Sequence, residues 1–324
     1  MHKINLHLYI FRYLFTRKIK ERCLFVNVSE SSQKLLHGYK LNRFYKPIIY
    51  DSLSQYKNID DYIEKLNIKV IILDNSRINH LPRKDIITLS NLKIRGIELY
   101  DAQHFYEILN RRISLVKLSS NEYHVDDILS LEIVPVHYVL KRILDVLFSI
   151  LLLPIAVPFI LLGVLLTSLT SKGNVFFVQK RIGKNSVPFN IYKLRTMEVN
   201  HNGHFTEKND VRITKIGKFL RLTKIDELPQ LFNILKGEMS FIGPRPERPQ
   251  FVLEAISENA YFELRHLVKP GLTGWAQVHL PKATPKDNLK KLEYDLYYIK
   301  YNSYLLDFEI LLRTIRIILS LKSN

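Results

Sequence analysis

The sequence contains a single cysteine, Cys23, among 324 residues. An internal disulfide is therefore excluded, which is typical of proteins that fold in a reducing compartment. A lone cysteine within an apolar run is predicted to be a small core residue rather than a nucleophile. The first 20 residues lack the long apolar block and small-residue cleavage site of a signal peptide. From these absences we expect neither a disulfide framework nor a secretory leader.

Glycine is scarce, with 11 residues in the chain, and it is missing where a dinucleotide-binding fold needs it. Short β-rich runs alternate with helical patterns between about residues 21 and 118, which predicts an α/β Rossmann-like domain with a parallel sheet. The predicted strands are Leu24–Val28, Pro47–Asp51, Val70–Asp74 and Ile94–Leu99. The turn after the first strand, Asn27–Ser32, contains no glycine that would let the backbone approach a pyrophosphate. We therefore expect a degenerate domain that binds no dinucleotide.

The remaining composition divides the chain into further regions. Residues 1–20 mix aromatic and basic side chains, and they fit either an amphipathic helix on a membrane surface or a helix covering a core. Residues 119–136 are predicted to be a polar linker between the Rossmann-like domain of residues 21–118 and the rest of the chain. Residues 137–324 are predicted to form a mostly helical α+β domain that begins with an apolar segment.

Positive charge is in large excess, because 48 lysine and arginine residues face 31 acidic residues, a formal net charge of +17. Such an excess indicates an anionic neighbour: nucleic acid, anionic lipid or a phosphorylated substrate. The sequence carries no nucleic-acid-binding motif, and a long apolar segment is a poor companion for nucleic-acid binding. We therefore expect a membrane surface and phosphorylated substrates as partners, and no nucleic acid.

The stretch Val146–Leu169 has no charged residue and is long enough to cross a hydrocarbon core of roughly 30 Å. Pro154 and Pro158 each remove a helical hydrogen bond, so a kink is expected. Positive charge prefers the cytoplasmic side of a membrane. Both flanks of this stretch are basic, with Lys141, Arg142, Lys172, Lys180, Arg181 and Lys184. A re-entrant helix over about residues 143–170 is therefore favoured over a spanning helix.

Two adjacent carboxylates, Asp226 and Glu227, precede Pro229 in the segment KIDELPQL. Proline disfavours helical geometry at the preceding residue and lacks a donor N–H, so a helix is expected to begin nearby. In one interpretation the pair only caps this helix, since acidic residues are favoured in a first turn. In the other, the helix start holds a phosphate, a carboxylate attacks phosphorus, and both residues help to hold Mg²⁺. The pair alone leaves both interpretations open.

Basic side chains lie around this pair in the sequence: Lys193, Arg195, Arg221 and Arg245. The planar fork of arginine suits phosphate oxygens. Each cation taken singly reads as a solvated surface charge. Together, beside an acidic pair and after a membrane segment, they favour a site for phosphoryl transfer.

A series of sequence blocks follows in order from Lys141 to Ser320: KRILD, the apolar segment with Pro158, VFFVQKRIG, PFNIYKLRTM, IGKFLR, KIDELPQL, MSFIGPRP, VKPGLTGWAQV, DLYYI and LLDFEILLRT. In this order they resemble the bacterial sugar transferase family, the monotopic polyprenyl-phosphate hexose-1-phosphate transferases. So many ordered blocks make the resemblance specific. The preceding unit, which ends in AQHFYEILNRRISL, is similar to the degenerate Rossmann-like domain of the larger members.

The resemblance implies that a UDP-sugar and undecaprenyl phosphate react to give a sugar-diphosphate lipid and UMP. It assigns Asp226 as the nucleophile that forms a covalent phospho-sugar intermediate, and Glu227 as support for geometry and for Mg²⁺. Lys193 belongs to the same catalytic group. Pro158 matches the proline that breaks the family's re-entrant helix, while the additional Pro154 is expected to move the bend. Phosphate or nucleotide contacts are expected from Arg195, Arg221, Arg245 and Gln277.

The resemblance also implies that the catalytic domain lies on the cytoplasmic face of a bacterial inner membrane, where it contacts phospholipid. A homodimer is one of the assemblies that it allows. The alternative is a catalytically inactive scaffold of polysaccharide assembly, against which the intact acidic pair and cations argue. The chain reads His279-Leu280 where many members read Ser-Gly-Arg, so the contacts of that arginine are in doubt and His279 is predicted to be structural. No motif indicates which sugar is transferred.

Overall fold

The computed structural model describes residues 20–26, 28–37, 39–50, 59–74, 83–115, 135–170, 172–198 and 210–320. The chain divides into two compact units, Met1–Tyr123 and His124–Asn324. The amphipathic segment predicted for residues 1–20 lies outside the described residues except at Lys20. The linker predicted for residues 119–136 lies outside them up to residue 134.

The N-terminal unit contains a parallel sheet with the strand order β2-β1-β3-β4, which confirms the predicted α/β class. Its elements are β1 (Glu21–Val26), α1 (Glu30–Leu36), α2 (Tyr39–Phe44), β2 (Tyr45–Tyr50), α3 (Ile59–Lys65), β3 (Ile68–Leu73), α4 (Arg83–Ile94), β4 (Glu98–Asp101) and α5 (Ala102–Asn110). The fourth strand begins later than predicted, because Ile94 still belongs to α4. Gly96, with a φ of +92°, then turns the chain into β4.

Strand β1 is central and buried on both faces, as its unbroken apolar run requires. Cys23 and Phe25 pack with Leu109 of α5 on one face. Leu24 and Val26 join a second cluster on the other face. Cys23 is fully buried, which confirms its prediction as a core residue, and burial raises the pKa of its thiol to about 12.

The carboxyl ends of β1 and β3 are linked by hydrogen bonds to the side chain of Asp74. Asp74 follows β3 and accepts hydrogen bonds from the Ser29 backbone N–H at 3.1 Å and from Ser32 Oγ at 2.9 Å. In a dinucleotide-binding fold the backbone N–H groups of this turn point at a pyrophosphate. Here the Ser29 N–H is already paired within the domain.

The C-terminal unit is mostly helical, with short strands, as predicted. Its elements are α6 (Pro135–Thr170), β5 (Phe176–Ile182), β6 (Pro188–Leu194), α7 (Lys215–Thr223), α8 (Leu231–Lys236), β7 (Ser240–Ile242), α9 (Pro249–Glu258), β8 (Gly271–Thr273), α10 (Trp275–His279), α11 (Asn288–Lys300) and α12 (Tyr304–Leu319). Short 3₁₀ helices separate several of them, including Ile225–Gln230 between α7 and α8. The predicted strands VFFVQKRIG and PFNIYKLRTM are the antiparallel pair β5 and β6.

Helix α6 contains the predicted apolar segment and remains helical through Pro154 and Pro158. It begins at Pro135, ahead of the predicted start near residue 143, because its first turns are also bound to the domain. Lys141 Nζ donates to Asp307 Oδ2 and to the Tyr298 hydroxyl, both at 2.7 Å. Among the described residues, α6 is the helix that is long enough and apolar enough to cross a membrane, and its most apolar stretch has a mean hydropathy of 2.7.

A single stripe of α6 packs against the domain. Its buried residues recur at helical spacing. Ala156 and Ile160 are apolar, whereas Asp145, Ser149 and Thr167 are polar. Ala156 and Ile160 share a core cluster with residues of β6 and α8. Most of the remaining apolar side chains are exposed; Ile155, for example, is 61% exposed and Leu161 is 62% exposed. A soluble core helix would bury these side chains, so the surface of α6 requires an apolar environment.

Candidate active site

The acidic pair lies in the first turn of the 3₁₀ helix Ile225–Gln230, directly after α7 ends. Lys224 between the two helices adopts a left-handed backbone conformation with a φ of +60°, which redirects the chain. The predicted helix start is present and both carboxylates lie in its first turn, as the helix-terminus interpretation expected, but neither of them is the N-cap residue. Lys224 occupies the N-cap position, and no side chain makes a capping hydrogen bond there.

Glu227 is held by two cations from distant parts of the chain. Its Oε1 accepts hydrogen bonds from Lys193 Nζ of β6 and from Arg245 Nη2, each at 2.8 Å. Burial alone would raise the pKa of Glu227, but the charges of Arg245 and Lys193 outweigh burial and hold this pKa well below its usual range. Glu227 is therefore ionised at neutral pH and serves as the anion of a partly buried triad.

Asp226 has a different environment from its neighbour. It is 7% exposed, and its Oδ1 is buried without a hydrogen-bond partner. Burial and then the negative charge of Glu227 raise the pKa of Asp226 to about 6. An ionised carboxylate in a poorly solvated position is a stronger nucleophile than one saturated by hydrogen bonds. The two carboxylates are thus adjacent in sequence but chemically unequal.

Arg221 approaches the pair from the last turn of α7. Its Nε donates to Thr196 Oγ1 at 2.8 Å, which fixes the guanidinium beside the end of β6. Burial lowers the pKa of Arg221, and the nearby charge of Asp226 acts in the opposite direction. Arg221 therefore adds a further, partly buried cation on the side of Asp226.

Close packing of α7 against residue 196 makes this approach geometrically strict. A Cβ built on Gly217 would lie 2.0 Å from the Thr196 carbonyl oxygen, so the first turn of α7 touches backbone directly. Only glycine allows this separation.

Arg245 is carried by the segment 243–247, in which four consecutive carbonyls accept hydrogen bonds from three other parts of the chain. Pro244 O accepts a hydrogen bond from Gly271 N at 2.9 Å, and Arg245 O accepts one from Arg265 Nη2 at 2.9 Å. Pro246 O accepts from Arg181 Nη1 at 3.0 Å, and Glu247 O accepts from Ile182 N at 3.0 Å. Such a segment has little freedom to move. The side chain of Arg245 therefore projects from a rigid support toward Glu227.

The side chains that bind this segment are themselves paired. Arg265 Nη2 contacts Asp295 Oδ2 at 2.7 Å, with both residues almost fully buried. Burial raises the pKa of Asp295 to about 6. Glu247 accepts from Lys291 Nζ at 2.7 Å. No local pattern predicted these ion pairs, because the two partners of each pair are remote in sequence.

The structure brings together Asp226, Glu227, Lys193 and Arg245, with Arg221 close enough to affect the acidic pair electrostatically. Arg195 follows β6, and its backbone N–H donates to Val175 O at 2.8 Å. Gln277 lies in α10 and donates to Leu272 O at 3.0 Å. Among the described contacts none joins Gln277 to the acidic pair. The predicted roles of these residues stay predictions.

His279, which was predicted to be structural, lies in an aromatic cluster. Its ring stacks on Tyr294 with centroids 4.9 Å apart and contacts Trp275 edge-on at 4.0 Å. His279 Nδ1 is also 2.9 Å from the Trp275 carbonyl oxygen. Both sides of the imidazole are thereby used in packing.

Asp226 and Glu227 are the residues that would hold a divalent cation. Within the described residues no group of three or more potential ligands is present, so a site built entirely from protein side chains does not fit. Mg²⁺ commonly binds one or two carboxylates and completes its shell with water and substrate phosphates. The unpaired Asp226 Oδ1 suits that smaller donor set.

Comparison with known proteins assigns this unit to a family. Residues 136–321, more than half of the chain, match the bacterial sugar transferase family. The chain is 40% identical over 236 residues to a UDP-N-acetylgalactosamine-undecaprenyl-phosphate N-acetylgalactosaminephosphotransferase of Aeromonas hydrophila, which covers 72% of this chain and 55% of that protein.

Two further relatives are UDP-glucose:undecaprenyl-phosphate glucose-1-phosphate transferases. The Klebsiella pneumoniae protein is 40% identical over 193 residues, covering 56% of this chain and 40% of that protein. The Caulobacter vibrioides protein is 39% identical over 181 residues, covering 54% of this chain and 68% of that protein. The chain thus spans about half the length of the first two relatives. On the extent of the family match, this chain belongs to the bacterial sugar transferase family.

Proposed function

We propose that this protein transfers a sugar 1-phosphate from a UDP-sugar to undecaprenyl phosphate and releases UMP, the first step in assembling an exopolysaccharide, capsule, O-antigen or related glycan. The observation that carries the proposal is the unequal acidic pair, in which Glu227 is neutralised by Lys193 and Arg245 while Asp226 keeps an unpaired oxygen. The names of its relatives specify undecaprenyl phosphate as acceptor but differ in the sugar, so the sugar stays open.

In the first step Asp226 attacks the phosphorus that bears the sugar. A bond forms between the carboxylate oxygen and this phosphorus. The bond from this phosphorus to the oxygen that joins the two phosphates breaks, and UMP leaves with that oxygen and the electron pair. The product is an acyl phosphate that carries the sugar. Arg221 is placed to offset the charge that the two anions bring together, because its partly buried guanidinium interacts electrostatically with Asp226.

In the second step an oxygen of the lipid phosphate attacks the same phosphorus. The bond to Asp226 breaks, the carboxylate is restored, and the sugar-diphosphate lipid is released. Glu227 stays ionised throughout and keeps Lys193 and Arg245 in place. A bound Mg²⁺ would supply charge neutralisation on the diphosphate, held by Asp226 and Glu227.

The proposed activity is tested with the full-length protein in nanodiscs, Mg²⁺, undecaprenyl phosphate and a panel of UDP-sugars. We expect release of UMP with at least one donor, and we expect it to require both the lipid and the metal ion. A related transferase assayed alongside is the positive control. If that control works and this protein releases no UMP from any donor, the inactive scaffold becomes the better account.

We further propose that α6 is a re-entrant helix in a bacterial inner membrane, with the catalytic unit on the cytoplasmic face. Contacts between α6 and the charged domain run from Lys141, which pairs with Asp307, to Gly163, where an added Cβ would lie 2.4 Å from Leu194 Cδ1. This stretch is about 30 Å long at 1.5 Å per residue. A spanning helix would carry its far end across the bilayer, away from a water-facing domain.

The C-terminal helix α12 supports a shallow position on the same membrane. Its exposed face is apolar and recurs at helical spacing, with Phe308 at 59%, Leu312 at 53% and Ile315 at 53% exposure. Ile310 on the opposite face is fully buried. Such a helix lies well in a membrane interface with its inner face on the domain.

Cysteine labelling tests the re-entrant arrangement. In a Cys23→Ala background, His137→Cys and Lys172→Cys place one thiol at each end of α6. A membrane-impermeant maleimide should label both only in inverted vesicles, because both ends are expected on the cytoplasmic side. Lys282→Cys, within the catalytic unit, is the orientation control. Labelling of one α6 end exclusively in intact spheroplasts would contradict the re-entrant helix.

A further inference from the structure

Three cations gather at the N-terminal end of α6: Arg142, Lys184 and Lys269. A Cβ built on Gly237 would lie 3.4 Å from Arg142 Nη2 and 3.4 Å from Lys269 Nζ, so both groups surround one point. Lys184 Nζ lies 4.8 Å from the ring centroid of Tyr138, on the first turns of α6. The charge of Lys184 also acts on Lys269. The three form a basic cluster contributed by three separate segments.

The cluster lacks a matching anion among the described residues. Arg142 donates to the carbonyl oxygens of Ile234 and Leu235 at the C-terminal end of α8, and neither contact is to a carboxylate. Within the described part of the chain, no carboxylate lies within ion-pair distance of any of the three cations. Neighbouring Lys141, by contrast, is paired with Asp307 at 2.7 Å.

Asp145 is the acidic group whose charge acts on Lys269, but it is committed elsewhere. Its Oδ1 accepts from Ser240 Oγ at 3.1 Å and from the Phe241 N–H at 3.0 Å. Burial and then the charge of Arg142 lower the pKa of Lys269. The repulsion between these like charges is reduced when an external anion binds between them.

The position of the cluster indicates the kind of anion. Arg142 contacts the C-terminal end of α8, whereas Asp226 and Glu227 precede the N-terminal end of that helix. The cluster is thus separated along α8 from the proposed site of transfer. It lies instead beside exposed apolar side chains of α6, with Val139 at 63% and Ile143 at 56% exposure. Basic side chains next to exposed apolar ones fit a ligand with a charged head and an apolar tail.

We propose that Arg142, Lys184 and Lys269 bind the phosphate of a phospholipid headgroup where α6 enters the membrane. This rests on the membrane attachment proposed above, but it is independent of the transfer chemistry. The bound headgroup supplies the missing negative charge, and its acyl chains cover the exposed side of α6. The lipid thereby anchors the first turns of α6 at a fixed depth.

The test measures lipid binding to the full-length protein in a neutral detergent by native mass spectrometry. The probes are dioleoylphosphatidylglycerol, the phosphate-free dioleoylglycerol, undecaprenyl phosphate and inorganic phosphate. Lys184→Gln combined with Lys269→Gln should weaken phosphatidylglycerol binding roughly 30-fold, since each interfacial lysine contributes about one kcal/mol. Binding of dioleoylglycerol should be equal in both proteins.

Two matched variants guard against misfolding and general charge effects. Lys184→Arg combined with Lys269→Arg keeps both charges and should retain binding, while Lys282→Gln combined with Lys286→Gln removes two charges elsewhere and should also retain it. Unchanged phosphatidylglycerol binding in the first Gln pair, or an equal loss in the second, overturns the proposal. So does a loss confined to undecaprenyl phosphate, or saturation of the cluster by inorganic phosphate alone. The lipid-binding measurement does not depend on UMP release. It can therefore be interpreted even if the protein shows no transferase activity.

Discussion

Replacing Asp226 with asparagine should reduce UMP release by at least about 10³-fold, because the amide has no anionic oxygen to attack phosphorus. The substitution preserves shape at a position that is 7% exposed. It also removes a charge that burial and Glu227 disfavour, since they raise the pKa of Asp226 to about 6. Stability should therefore stay level or rise by about 1 kcal/mol above pH 6. The assay is UMP release at saturating lipid, with thermal unfolding measured in parallel.

The pH profile of the unmodified protein is the control for this assignment. The reactive form of Asp226 is the carboxylate, so kcat/KM for the UDP-sugar should fall as the pH is lowered through about 6. Protonation of the nucleophile produces that fall, and any residual activity of Asp226→Asn should lack it. Activity in the variant within tenfold of the unmodified protein would remove Asp226 from the nucleophilic role.

Replacing Glu227 with glutamine should also impair transfer, by about 10² to 10³-fold, but for a different reason. The amide no longer neutralises Lys193 and Arg245, which now contact the Glu227 carboxylate at 2.8 Å each. Removing one partner of a fully buried ion pair costs about 3–5 kcal/mol, and we expect a smaller loss here because the side chains of Glu227, Lys193 and Arg245 are 14%, 16% and 38% exposed. In contrast with Asp226→Asn, this variant should unfold at a lower temperature. Differential scanning calorimetry alongside UMP release checks both effects.

Glu254→Gln on α9 is the matched control for the loss of a glutamate charge, and we expect activity and stability close to those of the unmodified protein. The decisive comparison is the sign of the stability change at positions 226 and 227. If Glu227→Gln proves as stable as the unmodified protein and as active, the partly buried triad of Glu227, Lys193 and Arg245 does not organise the site.

Several parts of the fold follow from local sequence pattern. The β-rich runs indicated a parallel sheet, and the structure contains one with the strand order β2-β1-β3-β4. The uncharged stretch indicated the long apolar helix. These predictions succeeded because periodicity and composition act over a few residues.

Other parts depend on contacts that no local pattern records. Arg265 and Asp295 support the Arg245 segment across 30 residues of sequence, and Lys291 reaches Glu247 across 44. Asp226 lies in the first turn of its helix but is not the N-cap, because Lys224 takes that position in a left-handed conformation. The strand predicted from Ile94 began too early because α4 extends to that residue. In each case tertiary packing or backbone geometry decided between locally plausible outcomes.

The role of Asp226 as the covalent nucleophile is tested most directly by measuring the mass of the protein after incubation with UDP-sugar and Mg²⁺ in the absence of undecaprenyl phosphate. Without an acceptor the second step stops, so the acyl phosphate should accumulate. We predict a mass increase equal to one sugar phosphate, located on the peptide that contains Asp226 and discharged by adding the lipid. UMP release that proceeds with no covalent adduct under rapid quenching, or an adduct on a different residue, would contradict Asp226 as the nucleophile.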